Sequence, residues 1–565
     1  MSENMGLDPR NGDFEDDASS TKSRSMLSLA GSLLVEISLS RLLIAWLLLV
    51  VLPAVVLGAA PIIVSAWLAS VTTKLGLVAV EAGALALLVA LLAGGWFAGR
   101  RLLPLAERSV WSLLALVVQP VYVACREVLR HLAERVLPVH AGSGTRAALR
   151  RAVAAFAGVL VSVLGVAVIL LAWPFLHLFG GIPPVASPGE LAVMVLANAL
   201  ALTSAGLAVA ALAWGLADAM MGQKQDLAAF DAAPEGARRW RVAHLSDLHV
   251  VGERYGFRIE SGRAGPRGND RFIALLARLA ALHEAAPLDL VLVTGDITDA
   301  GRSAEWAEFQ DALAAHPALA ARMLIVPGNH DVNIVDRANP ARLDLPTSPT
   351  PRLRQIRMLA AMAALQGGRV HSGEATLAQA LAPHRDTLAG FATTGQRRLR
   401  RGVAELWDAV FPLVLPPAEP DGLGVLILNS NAATHFSFTN ALGLVTARQA
   451  RGIDRALARW PRAVWIVALH HHLVEYPAPA SALSERIGTV LINGNWVLRR
   501  LRRHARRIVV MHGHRHIDWI GSCGGIRIVS APSPVMAKGD GFYVHTLAND
   551  GAGHVALLRP ERIMP

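Results

Sequence analysis

From Leu42 to Ala69 the chain reads LLIAWLLLVVLPAVVLGAAPIIVSAWLA, without one charged side chain. A stretch this long and apolar can cross about 30 Å of hydrocarbon as a helix. In hydrocarbon a helix is the form in which a single segment satisfies its own backbone. Pro53 and Pro61 place kinks in it, which a membrane helix tolerates. Three further stretches follow: Leu75–Gly99 with Glu81 near one end, Val153–Phe175, and Leu191–Trp214 with Asp218 just beyond it. The pattern predicts an all-helical transmembrane domain of about four spans over residues 41–221, after a polar tail at 1–40. That tail has no basic start leading into an apolar core, so it does not read as a signal peptide. Trp111–Ala124 is apolar but short, and reads as interfacial or re-entrant.

Charge sets the expected orientation. The chain carries 54 Lys and Arg against 43 Asp and Glu, a net charge of +11. Arginines crowd the segment from Arg100 to Arg151, whereas Gly180–Glu190 has no Lys or Arg. Positively charged loops stay on the cytoplasmic side, so both termini and all that follows Trp214 are expected there. A multi-pass protein of a cell inner membrane is the expected setting. Arginines that flank apolar segments suit anionic lipid. No interleaved basic and aromatic groove suggests a nucleic-acid partner. The two cysteines, Cys125 and Cys523, imply no disulfide framework and fit a reducing compartment.

After a linker at 222–240 the composition changes. Short apolar runs end in polar residues: WRVAHLSDLHV, LDLVLVTGDITD and ARMLIVPGNHD, with helical patterns at Asn269–Ala286 and Ser303–Ala315 between them. Strand-like runs return at Gly422–Ser430, Ala463–His471, Arg506–His514 and Gly525–Pro532. Alternation of this kind predicts an α/β domain with its chemistry where strands end. It is expected over 241–560, with an insertion or cap at about 332–424 that holds helices near Arg352–Gln366 and Thr394–Val410.

Each polar strand end carries metal-ligand side chains: Asp247 and His249, Asp296, Asn329, His470, and His514 with His516. Asp247 and His249 are two apart, which in an extended strand puts both on one side. A carboxylate such as Asp296 can offer one oxygen to each of two ions. Two carboxylates, an amide and four imidazoles suit Mn, Fe, Co or Zn better than Mg or Ca. Two such ions lie about 3.5–4 Å apart when a hydroxide bridges them for attack on phosphorus. His330 is the main catalytic candidate outside the ligand set, and Asp331 either supports it or holds the turn. His471, His472 and His512 stay open as ligands beside their neighbours, and His244 reads as a strand residue near the site.

In this order, DLH at Asp247–His249, GD at Gly295–Asp296, GNHD at Gly328–Asp331, LHH at Leu469–His471 and GHRH at Gly513–His516 resemble a calcineurin-like metallophosphoesterase. The resemblance covers roughly Arg241 to Ala548. It implies a four-layer α/β/β/α sandwich and two divalent ions. One ion is implied to sit on Asp247, His249, Asp296 and His516, the other on Asp296, Asn329, His470 and His514, with His330 near the leaving group. LILNSN at Leu426–Asn431 resembles a strand that is often acidic where Asn429 stands, which implies a packing or substrate role there.

The family acts on many phosphoesters, and this histidine-rich set resembles its phosphodiesterase branch. Apolar helices point to a phosphodiester or pyrophosphate on a lipid-linked substrate met at the cytoplasmic membrane face, with membrane lipid as partner. A tethered enzyme for cyclic nucleotides or other soluble small molecules is the alternative. A non-catalytic regulatory domain is a third reading, which the complete ligand set disfavours. Arg337, Arg352, Arg354 and Arg357 read as a solvated helix face more than as a phosphate contact.

Overall fold

The structure, a computed structural model, describes residues 43–44, 46–78, 89, 93, 119–138, 142–179, 187–222, 224–233, 235–252, 269–333, 343–345, 348–395, 398–435, 437–477, 489–536, 541–551 and 553–564. The chain divides into two compact units, Ser38–Met221 and Gly222–Pro565, the latter grouped with Met1–Ile37.

In the first unit, a π-helical turn at Leu47–Val51 leads into α1 (Leu52–Val78), followed by α2 (Gln119–Val136), α3 (Ser143–Ala172) and α4 (Pro188–Ala219). Among the described residues, three helical stretches are long and apolar enough to cross a membrane: Leu52–Thr73, Gly144–Phe175 and Pro188–Ala219. They correspond to the first, third and fourth expected spans. The second lies outside the described residues except for 75–78, 89 and 93, and so does Glu81. Of the short stretch Trp111–Ala124, the described part opens α2, which continues into the charged residues Arg126, Glu127, Arg130 and Glu134.

Small residues bring the apolar helices together. A Cβ on Gly215 of α4 would lie 2.8 Å from the Gly158 Cα of α3, so the two backbones touch where neither has a side chain. Asn198, buried in α4, donates its amide to the carbonyls of Gly58 (3.0 Å) and His177 (2.9 Å), and its oxygen accepts from the His177 N–H. Ser187 and Glu190 exchange hydrogen bonds as a capping box at the start of α4. Asp218 is ion-paired to Arg126 of α2 at 2.7 Å and accepts from Tyr122 at 2.8 Å. It thus ties two helices together.

The second unit is built on two sheets. A six-stranded sheet runs β14-β13-β2-β3-β4, with β15 beside β13. Here β2 is Arg238–Leu245, β3 Leu290–Val293, β4 Met323–Ile325, β13 Phe542–Asn549, β14 Val555–Leu557 and β15 Glu561–Ile563. A nine-stranded sheet runs β1-β11-β12-β10-β9-β8-β7-β5-β6. Its strands are β1 (Lys224–Asp226), β5 (His371–Ser372), β6 (Ala375–Thr376), β7 (Leu413–Leu415), β8 (Leu423–Ile427), β9 (Val464–Ala468), β10 (Ile508–His512), β11 (Trp519–Cys523) and β12 (Ile526–Ser530). The central strands β2-β3-β4 and β8-β9-β10-β12 are parallel. Their sequences explain this: LVLV, MLI, VWIVA and IVVMH are buried at every residue, as strands covered on both faces must be.

Helices α5 (Asp270–Ala285), α6 (Ser303–Ala314), α7 (Thr350–Gln366), α8 (Arg385–Thr394), α9 (Arg400–Val410), α10 (Ala447–Arg459) and α11 (Gly494–Leu501) complete the unit. One hydrophobic core joins Val242 and Leu292 of one sheet, Val425 and Val509 of the other, and Phe272, Trp306, Leu353, Phe391 and Trp407 of the helices. The region expected as an insertion therefore packs into the core through α7, α8 and α9. At the end of α7, Gln366 completes the edge of the six-stranded sheet: its amide accepts from Ile325 N at 2.7 Å and donates to Ile325 O at 3.2 Å. Arg354 and Arg357 of α7 are buried, against the expectation of a solvated face. Arg354 meets Asp344 at 3.3 Å and Arg357 donates to the Gly301 carbonyl at 3.0 Å.

One core residue makes the unit acid-sensitive. His545 on β13 is fully buried with no hydrogen-bond partner for either ring nitrogen. Burial pushes its imidazole down to about 4. In the unfolded chain it takes up its proton near 6.5. Its stabilising contribution is therefore complete above pH 6.5 and is lost as pH falls toward 4, by about 3 kcal/mol. Thermal midpoints between pH 7 and 4.5 should fall more steeply for the native protein than for His545→Leu. Parallel slopes would contradict this.

Candidate metal centre

The proposed ligands all stand just past strand ends. Asp247 and His249 follow β2, Asp296 follows β3, and Asn329 follows β4. His470 follows β9, and His514 and His516 follow β10. Each sheet delivers its share to the same place. The sequence expectation of an extended pair at Asp247 and His249 is met by another route, since β2 stops at Leu245. Asp247, His249, Asp296, His514 and His516 all have positive φ, between 45° and 79°, and among the described residues no other non-glycine residue does. For such side chains this left-handed backbone costs about 1–3 kcal/mol per residue. Strain confined to the ligand loops indicates that ligand placement dictates the backbone there.

Glycines make room for the loops. A Cβ on Gly328 would lie 2.0 Å from Asp296 N, and one on Gly513 would lie 1.8 Å from Ser246 Oγ. No side chain fits at either position.

The side chains converge on two points. At the first, His516 Nε2 lies 3.2 Å from Asp247 Oδ1 and 3.3 Å from His249 Nε2. At the second, His470 Nε2 lies 3.2 Å from Asp296 Oδ2, 3.0 Å from Asn329 Oδ1 and 3.0 Å from His514 Nδ1. With metal–ligand distances of about 2.1 Å, neighbouring donors in one coordination shell fall roughly 3.0–3.4 Å apart. Asp247 Oδ1 is buried, and among the described residues its near neighbour is the His516 ring at 3.2 Å. The donor set and its spacing fit two ions, with Asp296 at the second point. The groupings Asp247, His249, His516 and Asp296, His470, His514 each meet the geometric requirement for holding a metal.

Neighbouring groups settle which ring nitrogen faces each ion. His470 Nδ1 donates to the Thr294 carbonyl at 2.8 Å, and His514 Nε2 to the Thr489 carbonyl at 3.1 Å. This leaves His470 Nε2 and His514 Nδ1 free as donors to metal. His249 Nδ1 lies 3.2 Å from Asp299 Oδ1. The Asp296 carboxylate also accepts from His330 N at 2.8 Å, and Asp247 accepts from His514 N at 3.0 Å.

The field is that of a cation site. Burial opposes ionisation of Asp296, but His470 and His330 override it and hold the carboxyl well below its usual range. Asp247 is held low against burial by His516 and His470. Burial likewise opposes charge on His470, yet Asp296 and Asp247 push it up to about 9. The buried His249, with His330 beside it, drops to about 4.

His330 stands at the open side, its side chain 12% exposed, with His516 at 31%. Its Nδ1 donates to the Asp299 carbonyl at 2.6 Å, which frees Nε2. Asp331 accepts from Thr298 N and Oγ1 and from Gly328 N, which places it in support of the loop. Asp299 was not singled out by the sequence, although it ends the same GDITD run. It touches both His249 and His330. The other histidines have structural partners: His471 meets Ser430 Oγ at 2.9 Å, His472 meets Glu475 at 3.7 Å, and His244 meets Thr294 Oγ1 at 3.0 Å. Asn429 accepts from Asn431 and is bracketed by Gln449, a packing role.

Removing Asp299's carboxylate should loosen one ion more than the other. In Asp299→Asn, affinity at the Asp247, His249 and His516 point should fall roughly 10–100-fold. Metal analysis after dialysis should then find one ion retained where the native chain holds two. Full retention of both would contradict the arrangement.

Residues 241–376 match the family model described as calcineurin-like phosphoesterase. A search of curated proteins found no match. Similar solved structures include a dimetal phosphatase from Danio rerio, at 13% identity over 57% of this chain and 98% of that one, with a TM-score of 0.34. A NAD nucleotidase from Haemophilus influenzae is 13% identical over 58% of this chain and 50% of that one, with a TM-score of 0.29. A purple acid phosphatase from yellow lupin, Lupinus luteus, is 11% identical over 58% of this chain and 54% of that one, with a TM-score of 0.25. The chain spans about half the length of the latter two. The family match ends before His470, His514 and His516, which the fold brings to the same centre as Asp247 and Asp296. The chain carries a calcineurin-like phosphoesterase domain and is, through that domain, a metal-dependent phosphoester hydrolase.

Proposed function

We propose that the domain is a binuclear phosphodiesterase. The observation that supports this reading is the convergence of seven metal-binding side chains on two neighbouring points. Asp247, His249, Asp296 and His516 would hold one ion, and Asp296, Asn329, His470 and His514 the other. Four imidazoles favour Mn, Fe, Co or Zn. When bound, two such ions supply an activated water and offset charge on the phosphoryl oxygens. His330 contributes from the open side: its Nδ1 proton rests on the Asp299 carbonyl, and Nε2 takes up a proton for the leaving oxygen. Asp299 and Asp331 position it and its loop.

The apolar helices support a multi-pass membrane protein, and the arginines between Arg100 and Arg151 support a cytoplasmic catalytic domain. A soluble small-molecule phosphodiester is the substrate class we place first. The chain enters the nine-stranded sheet at β1, whose Lys224 is level with Cys523 at the far end of β11 from the ligands. A lipid-linked substrate, the class that the helices by themselves suggest, requires the centre to reach the bilayer.

Purified full-length protein loaded with Mn in detergent should hydrolyse bis(p-nitrophenyl) phosphate faster than the monoester. Asp296→Ala should abolish both activities. His330→Asn should lower turnover by about 10²–10⁴ while both ions stay bound. A folded, metal-loaded sample inert toward the diester would refute the phosphodiesterase reading.

A further inference from the structure

The last apolar helix, α4, ends at Ala219, and the catalytic unit begins at Gly222. Three residues of chain span at most about 10 Å. The Gly222 carbonyl accepts from Cys523 Sγ at 3.4 Å, and Lys224 of β1 is level with Cys523 of β11. After Gly524 and Gly525 the chain returns along β12, which runs parallel to β10 with Arg527 level with Val509. The point of entry therefore lies where the parallel strands begin. The metal ligands lie where they end. The five residues of β10 set these two ends roughly 16 Å apart.

The entry end is strongly basic. From the last turn of α11 to the start of β10 runs the segment Arg499–Arg507, RRLRRHARR. Arg500 is paired with Asp454 at 3.0 Å, and Arg507 donates to the carbonyls of Leu457, Trp460 and Ala463. Arg499, Arg502, Arg503 and Arg506 are exposed, and none has an acidic partner among the described residues. Arg502 sits beside the entry, where a Cβ on Gly524 would lie 2.8 Å from its Nε, and the other three follow or precede it within four residues of chain. Other strands begin with exposed arginines too, Arg462 just before β9 and Arg322 just before β4. Cations left unpaired on the one end that three residues tether to an apolar helix match an anionic surface close by.

We propose that this end of the catalytic unit docks on anionic phospholipid headgroups of the membrane that the helices span, with Arg499, Arg502, Arg503 and Arg506 as the contacts. The inference rests on reading those helices as spans. Each basic residue held at an anionic surface strengthens binding roughly fivefold.

The test uses the full chain in nanodiscs of phosphatidylcholine alone, of phosphatidylcholine with phosphatidylglycerol, and of phosphatidylcholine with added single-stranded RNA. Hydrogen exchange of residues 499–507 should slow at least severalfold in the phosphatidylglycerol discs alone. The slowing should vanish at high salt, where such contacts are screened, and in R499Q/R502Q/R503Q/R506Q. Diester turnover by that variant reports that its domain is folded, and the comparison of discs needs no variant at all. Equal exchange in both lipid discs overturns the docking surface and leaves the spans standing. Slowing by RNA alone overturns it in favour of a nucleic-acid surface. A chain that enters neither disc overturns the spans, and the inference with them.

Discussion

A carboxylate must stay ionised at Asp296 although the residue is wholly buried. Burial works against that charge, and it is held only because His470 and His330 stand beside it. Much of the catalytic unit follows from this requirement. The loop after β3 turns through a left-handed residue at Asp296, and Gly328 must lack a side chain for the loop after β4 to pass over it. The loops after β2, β3 and β4 and those after β9 and β10 meet there, so the two sheets have to present their strand ends to a common point. The shared core of Val242, Leu292, Val425 and Val509 is what holds them to it.

Opposite charges are paired across the centre. His470 is pushed up to about 9 by the same carboxylates that favour a metal. Five strained ligand residues add roughly 1–3 kcal/mol each. Positioning groups outside the ligand set then decide the details. Carbonyls of Thr294 and Thr489 select the ring nitrogens, and Asp299 links His249, a proposed ligand, to His330, the proposed proton carrier.

Much of this was legible in the sequence because each strand end is short, apolar before and polar after. The runs LVLVTGDITD and VVMHGHRH announce a buried parallel strand and its chemistry together. The ligand types and their order were readable for the same reason. What periodicity could not give was the local backbone. Asp247 and His249 share a side through two left-handed residues, not through extended geometry. Asp299 was hidden because an Asp in a loop is usually a turn former, and only the fold brings it to His249. Arg354 and Arg357 looked like a solvated face because helical spacing does not reveal that Asp344 and the Gly301 carbonyl lie opposite. The tether's place at one end of the sheet depends on β1 pairing with β11, some three hundred residues away, which no local pattern records.

On the proposed reading, one shared carboxylate, Asp296, joins two metal points. Electron paramagnetic resonance of the Mn-loaded full-length protein, with metal analysis of the same sample, tests it most directly. The account predicts two Mn ions per chain with an exchange-coupled spectrum, and loss of that coupling in Asp296→Asn. One ion per chain, or two that show only isolated Mn signals, would contradict it.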